Sequence, residues 1–219
     1  MNTVKVKQLE YVTHDVIRLV LEKPTGITYS EGQAVDLSLP ADKNELRAFT
    51  FTSLPEDDFL EFIIKVYPKH HGVTLKLSKL QPNDEVIVHE PFGDISFKGN
   101  GVFIAGGAGI TPFLAILKRL ERKGNVSGNK LIFANKTAKD VILNRYFSNL
   151  LEKNYFSILS EEISEGNLYG YVSKELIQQA KTDSLKYVYV CGPEPMMQAV
   201  EKILDEMQIP KDYIVKEGF

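Results

Sequence analysis

Ile104-Ala105-Gly106-Gly107-Ala108-Gly109-Ile110-Thr111-Pro112 ends one apolar run and opens another, and its reading decides the fold. Gly101-Val102-Phe103-Ile104-Ala105 reads as a short, fully buried strand bounded by glycine. Phe113, Leu114, Ile116, Leu117 and Leu120 then recur at the spacing of one helix face. Between the two, Gly106, Gly107 and Gly109 allow a tight turn and a close backbone approach to a ligand. Thr111 is placed to cap the helix, and Pro112 to fill its first turn, where a missing N–H costs nothing. A helix start of this kind attracts phosphate through free N–H groups and the helix dipole. A glycine-rich turn also serves as a plain tight connection, so its surroundings decide its meaning.

Downstream, strands alternate with helices. The helix near 112–123 is followed by a strand at 130–134, a helix near 139–152 and a strand at 155–159. A helix near 173–181, a strand at 187–190 and a helix near 194–206 complete the series. That alternation predicts a parallel sheet with crossover helices. Upstream the rhythm is different. Turn-bounded strands are expected at 4–9, 16–21, 35–39, 59–66, 85–89 and 95–97, with one helix over 73–80. The fold class is therefore two-domain: an N-terminal antiparallel β-barrel or sandwich over 1–98 and a C-terminal α/β parallel-sheet domain over 99–219. Asn100-Gly101 is the expected hinge.

Composition narrows the function. The 219 residues suffice for one large domain or two small ones, each with a core. A formal charge of −3 gives no electrostatic case for nucleic acid or an anionic membrane. Lys118-Arg119 and Arg122-Lys123 interleave with acids and read as a solvated helix face. The single cysteine, Cys191, excludes an internal disulfide and a cysteine-based zinc or iron–sulfur site in this chain. His14 and His89 offer no partner pattern for a metal. No signal-peptide pattern and no apolar run of membrane-span length is present, so a cytoplasmic, soluble protein is expected; a monomer is expected as well.

Three further segments carry chemistry. In Arg47-Ala48-Phe49-Thr50-Phe51-Thr52-Ser53, Arg47 and Phe49 share one face of a strand while Thr50 turns away. Arginine holds phosphate bidentately and an aromatic stacks on a flat ring. The segment is equally compatible with an ordinary strand bearing an exposed arginine. Gly72-Val73-Thr74, after Lys65-Val66, opens a helix and is a second potential anion site. Tyr189-Val190-Cys191-Gly192-Pro193 is an apolar strand breaking into a turn at the edge where open α/β sheets bind ligands. His70 and His71 precede the helix at 73 and read as surface or adenine-side residues.

In this order, these segments resemble the ferredoxin–NADP⁺ reductase family of flavoproteins over almost the whole chain. Arg47-Ala48-Phe49-Thr50 is similar to that family's Arg-x-Tyr-Ser/Thr flavin motif, and Gly72-Val73-Thr74 to its pyrophosphate turn. Gly106 to Pro112 is similar to its nicotinamide-nucleotide loop, and Cys191-Gly192-Pro193 to its Cys-Gly-Pro/Leu turn. Gly32-Gln33, Pro91-Phe92-Gly93 and the ending Glu217-Gly218-Phe219 also match.

The resemblance implies a barrel that binds FAD and a nucleotide domain that brings NADH or NADPH to it. Arg47 would hold the flavin phosphate, Phe49 would pack on the ring system and Thr50 would approach flavin N5. Ile64, Lys65 and Val66 would line the flavin through backbone and side chain, and Gly72, Val73 and Thr74 would donate to the pyrophosphate. Gly106, Gly107, Ala108, Gly109, Ile110, Thr111 and Pro112 would cradle the nicotinamide nucleotide. Phe219 would cover the ring face the nicotinamide must take. Cys191, with Gly192 and Pro193, would contact the nicotinamide, and Glu217 would tune charge or relay a proton. Thr50, Cys191 and Glu217 are thus the groups nearest the reacting atoms. Phe49 replaces the family tyrosine, which keeps stacking and removes a phenol hydrogen bond.

Asn135-Lys136-Thr137 could contact the nucleotide ribose. The acidic stretch 160–165 would repel a 2′-phosphate, which favours NADH over NADPH. Electrons would leave to a ferredoxin, a flavodoxin or an oxygenase component. The alternatives are a reductase of free flavin or quinone, and a non-catalytic flavin- or nucleotide-binding subunit of a larger redox complex.

Overall fold

Alternating burial builds the first half of the computed structural model, which describes residues 1–70, 72–182 and 185–216. In β1 (Asn2–Tyr11), Val4 and Val6 point inward while Lys5 and Lys7 face water. β2 (Val16–Glu22), β3 (Ala34–Leu39), β4 (Asp42–Thr50), β5 (Phe59–Lys65), the short helix α1 (Val73–Leu77) and β6 (Glu85–Phe92) follow. The six strands pair antiparallel in the order β4-β3-β6-β1-β2-β5. Just past the edges, the Thr52 N–H donates to the Glu61 carbonyl at 2.8 Å and draws the sheet towards a closed barrel. Ile17, Leu19, Val35, Leu37, Phe51, Phe62 and Val86 fill its interior.

The second half is a parallel sheet covered on both faces. β7 (Gly101–Gly106), α2 (Thr111–Arg122), β8 (Lys130–Asn135), α3 (Asn144–Leu151), β9 (Tyr155–Leu159) and β10 (Leu168–Tyr169) come first. α4 (Lys174–Ala180), β11 (Tyr187–Cys191), α5 (Glu194–Glu206) and β12 (Ile214–Lys216) complete it. The strand order is β10-β9-β8-β7-β11-β12, all parallel. Phe103, Phe133 and Tyr189 pack with Phe113 of α2 and Phe147 of α3, while Ile104, Ile132 and Val188 pack with Ile177 of α4 and Val200 of α5. Because β8 and β11 flank β7 on opposite sides, the chain reverses its order there. The crevice at such a switch point is where open α/β sheets take ligands.

Four expectations change. The strand at 95–97 does not form. Ile95 is buried in the core of the second half, Phe97 stacks on Tyr189, and the Tyr189 hydroxyl accepts the Lys98 and Gly99 N–H groups. These side chains knit the two halves together, and the backbone has no strand to pair with. The helix near 139–152 is broken. Thr137 and Asp140 form a reciprocal cap around a single 3₁₀ turn, Leu143 takes φ 51°, and only then does α3 begin. α1 is shorter than expected, since Ser78 caps it and donates its hydroxyl to the Leu75 carbonyl. Finally, the charges on α2 are not a solvated face. Lys118 bonds to Glu61 and the Thr52 carbonyl, Arg119 pairs with Glu31 and Glu56, and Arg122 with Glu56 and Asp57. The barrel carries the matching carboxylates, so these charges are the interface.

Candidate functional site

The parallel strands deliver Gly106, Asn135, Leu159 and Cys191 to one edge. At that edge the 3₁₀ turn Gly107–Ile110 leads directly into α2. Thr111 is not a cap, contrary to expectation. It is the first helical residue, because the preceding turn is already helical, and its hydroxyl donates to the Ala108 carbonyl at 3.0 Å. Pro112 lies in the first turn as expected.

The glycines serve different ends. Space for a Cβ at Gly106 is taken by Met196 Sδ, and at Gly109 by the Cys191 carbonyl. Gly107 alone of the three has φ +52° and nothing within 4 Å of where a Cβ would stand, so its backbone is open to a ligand. Gly192 closes on Gly106, its virtual Cβ lying 3.1 Å from that backbone. The two loops that should meet the nucleotide are therefore one packed unit. Cys191 is half-buried at the end of β11, and Pro193 caps α5.

Beside them, Asn135 is 9% exposed, and neither atom of its side-chain amide has a partner. Its carbonyl accepts from the Ser160 N–H, and that of Lys136 from the Glu161 N–H, which extends the β8–β9 ladder past the sheet. The Lys136 ammonium lies 3.0 Å from the Glu161 carboxylate, which raises its pKa. Glu162 accepts from the Ala138 N–H. Thr137 is engaged in its cap.

On the barrel, Arg47 shares a cleft of about 460 Å³ with Gly72, Val73 and Thr74, and with Glu45, Leu46, Tyr67 and His70. The motifs 25 residues apart in sequence thus converge on one cavity. Gly72 precedes α1, whose first amides have no intrahelical partner. The Thr74 hydroxyl accepts from the Tyr67 N–H at 3.3 Å and keeps its own proton to donate. A cation, helix-start amides and a hydroxyl on an open cavity of this size fit a diphosphate group. Phe49, opposite Val35, is half-buried against the barrel core, and Thr50 ends the strand opposite Ala34.

One expectation is corrected here. Ile64, in β5, and Val66, just past its end, bury their side chains in the barrel core. The Val66 N–H donates to the Asp15 carbonyl, and the Lys65 ammonium is held 2.9 Å from the Asp15 carboxylate. The reading of His14 also changes. His14, Asp15 and Asp140 bring their ligand-type atoms within 4.8 Å of one another. Lys65 lies 2.9 Å from Asp15, and His14 Nε2 lies 3.6 Å from Asp140, so the cluster bridges the two halves. Burial pushes the Asp140 carboxyl up, but hydrogen bonds from Thr137 and the charges of Lys65 and His14 hold it below its usual range. Sequence reasoning missed Tyr67, Glu45 and Asp140, which carry no motif of their own. Glu217, Phe219 and His71 lie outside the described residues.

The strand β5 touches the turn Gly107–Ile110, which places the cleft-bearing barrel against the nucleotide edge of the sheet. The class this arrangement defines is a two-domain protein whose barrel cleft stands beside the switch point of a parallel sheet. Residues 3–97 match the family described as oxidoreductase FAD-binding domain, and residues 103–202 that described as oxidoreductase NAD-binding domain. The two models together span most of the chain, which belongs with the oxidoreductases built from an FAD-binding and an NAD-binding domain.

It is 29% identical over 239 residues to the propane 2-monooxygenase reductase component of Mycolicibacterium goodii, covering 98% of this chain and 66% of that protein. It is 27% identical to NADH-cytochrome b5 reductase 2 of Mycosarcoma maydis, covering 89% of this chain and 62% of that protein. The chain thus spans somewhat less than two thirds of these relatives. A ferredoxin NADP⁺ reductase from Neisseria gonorrhoeae, solved with bound FAD and NADP, superimposes with a TM-score of 0.85 at 22% identity, over 99% of this chain and 97% of that one. No helix among the described residues is long and apolar enough to cross a membrane.

Proposed function

We propose that this protein is a reductase that takes a hydride from NADH onto a bound FAD and passes electrons to a separate acceptor. The observation that carries this reading is the contact of β5 with the glycine turn, which joins an Arg47 cleft to a nucleotide edge. FAD, when bound, accepts a hydride and releases electrons singly, which supplies the redox chemistry.

The chain's own part is to bind, orient and select. Arg47 holds a flavin phosphate as a bidentate donor, with the amides of Gly72, Val73 and Thr74 completing the cradle. Phe49 would pack on the flavin ring system, and Thr50 would offer its hydroxyl to the reacting edge of the flavin. The backbone of Ile64, Lys65 and Val66 borders the flavin. The turn from Gly106 to Pro112 holds the NADH pyrophosphate, and Cys191, Gly192 and Pro193 border the nicotinamide. Asn135 and Lys136 meet the ribose. The flavin unit is residues 1–98 and the nucleotide unit 99–219.

NADH is favoured because Glu161 neutralises Lys136, the cation best placed for a 2′-phosphate, and Glu162 adds negative charge beside it. With one cysteine, these 219 residues hold no cysteine-ligated cluster, so electrons pass from the flavin to an outside group. A cytoplasmic monomer serving a ferredoxin, flavodoxin or oxygenase component is the matching arrangement. The test is steady-state reduction of ferricyanide by FAD-loaded protein. At least tenfold higher kcat/KM with NADH than with NADPH is expected, a difference of about 1.4 kcal/mol. An NADPH preference, or no turnover, overturns the proposal.

A further inference from the structure

Glu61 interrupts an apolar strand, Phe59-Leu60-Glu61-Phe62-Ile63-Ile64, and is 4% exposed. Its carboxylate accepts from Arg18 Nε at 2.6 Å, Thr52 Oγ1 at 2.9 Å and Lys118 Nζ at 2.6 Å. Burial pushes this carboxyl up, but the ammonium of Lys118 and the guanidinium of Arg18 outweigh it and hold it below the usual range. A buried ion pair of this kind is a poor source of stability compared with an apolar contact of the same volume. What it provides is a fixed geometry.

That geometry spans the two halves. Arg18, Thr52 and Glu61 belong to the barrel, and Lys118 to α2, the helix that begins at the glycine turn. Lys118 also donates to the Thr52 carbonyl at 2.8 Å, so its ammonium is held from two sides. β5 touches the Gly107–Ile110 turn, and Ile63 packs in one cluster with Ile110, Phe113 and Leu114. From Glu61 to Lys65 the strand rises about 14 Å, and from Lys118 back to Thr111 the helix rises about 10 Å. α2 is thus tied to β5 at two places along its length, by charge at Lys118 and by apolar packing of Ile63 against Ile110, Phe113 and Leu114 near its start. The outer pairs of Arg122 with Glu56 and Asp57 are far more exposed, with the Arg122 side chain at 50%. Water and salt weaken them, so they attract without setting register.

We infer that Lys118 is a positioning residue: locked between Glu61 and the Thr52 carbonyl, it sets the separation between the nucleotide turn and the flavin-facing end of β5. The inference rests on the function proposed above. Hydride transfer needs near-contact geometry, and a misplacement of about 1 Å costs on the order of a hundredfold in rate.

The test uses Lys118→Met, Lys118→Arg and the double variant Glu61→Gln/Lys118→Met, which leaves no unpaired buried carboxylate. In flavin-free protein, amide hydrogen exchange at residues 107–118 should quicken about tenfold in Lys118→Met and in the double variant, with β1 and α5 unchanged. In FAD-loaded protein, bleaching at saturating NADH should slow about tenfold or more, with NADH affinity within about threefold of wild type. Lys118→Arg should restore both. Unchanged exchange overturns the inference. So does uniformly faster exchange across both sheets, or a loss confined to NADH affinity, since these mark a role in stability or binding alone. Wild-type protein that takes up no FAD would sink the functional reading instead, and the exchange arm would still decide the register claim.

Discussion

Gly109 and Cys191 meet backbone to backbone: a Cβ on Gly109 would collide with the Cys191 carbonyl. The glycine turn after β7 and the turn after β11 cannot move independently, and Met196 wedges against both Gly106 and Gly192. Gly109→Ala should force the turns apart, with an overpacking cost of about 1–3 kcal/mol and a clear loss of NADH affinity. Gly107→Ala meets no neighbour and should cost only its left-handed backbone, about 1–2 kcal/mol. Thermal unfolding and NADH titration of both variants check this. Equal NADH affinity in Gly109→Ala and wild type would contradict it.

Arg47 and the start of α1 converge on one cleft. Charge-assisted hydrogen bonds contribute about 1.5–3 kcal/mol each, so Arg47→Ala should weaken FAD binding about tenfold to hundredfold. Arg47→Lys should recover only part, since an ammonium lacks the bidentate fork. Quenching of flavin fluorescence on titration reads both values. Undiminished affinity in Arg47→Ala would remove the arginine from the site.

Freeing Lys136 should change nucleotide choice. In Glu161→Gln the lysine loses its partner at 3.0 Å and becomes available to a 2′-phosphate. The ratio of kcat/KM for NADPH over NADH should rise several-fold, chiefly through the KM for NADPH. A ratio that stays constant would place 2′-phosphate discrimination elsewhere.

Acid stability should depend on Glu56. The Arg119 guanidinium beside it, with Arg122, holds its carboxyl at about 2 instead of the ordinary 4.5. A carboxyl depressed on folding stabilises the protein above its unfolded value, and that contribution is lost as pH falls from about 4.5 through 2. The Tm should therefore drop across that window. Glu56→Gln should flatten the drop, and 1 M salt should shrink it because the pairs are exposed. An identical pH profile in Glu56→Gln would refute the assignment.

The two-domain fold was legible because hydrophobic period changes near residue 100, from alternation to buried strands joined by amphipathic helices. The loops were legible too, since glycine and proline punctuate them at 106–112 and 191–193. What escaped was set by long-range packing. The all-exposed start of β4 at 42–48 has no apolar pattern to read, and its strand character comes from pairing with β3. Ile95 and Phe97 look like strand residues and serve to join the halves. Lys118 and Arg119 look like surface charges until the barrel's Glu61, Glu31 and Glu56 stand opposite them. The glycines at 106 and 109 look in sequence like room for a ligand, yet protein atoms fill that room. The lone glutamate within the apolar run 59–64 is the sequence signal that marks a buried partner.

The decisive measurement is an anaerobic absorbance titration of the protein reconstituted with FAD. Stoichiometric flavin uptake is expected, with bleaching of the yellow bands by one equivalent of NADH and reoxidation by a one-electron acceptor. A protein that takes up no FAD, or whose bound flavin keeps its spectrum in excess NADH, would contradict the proposed function.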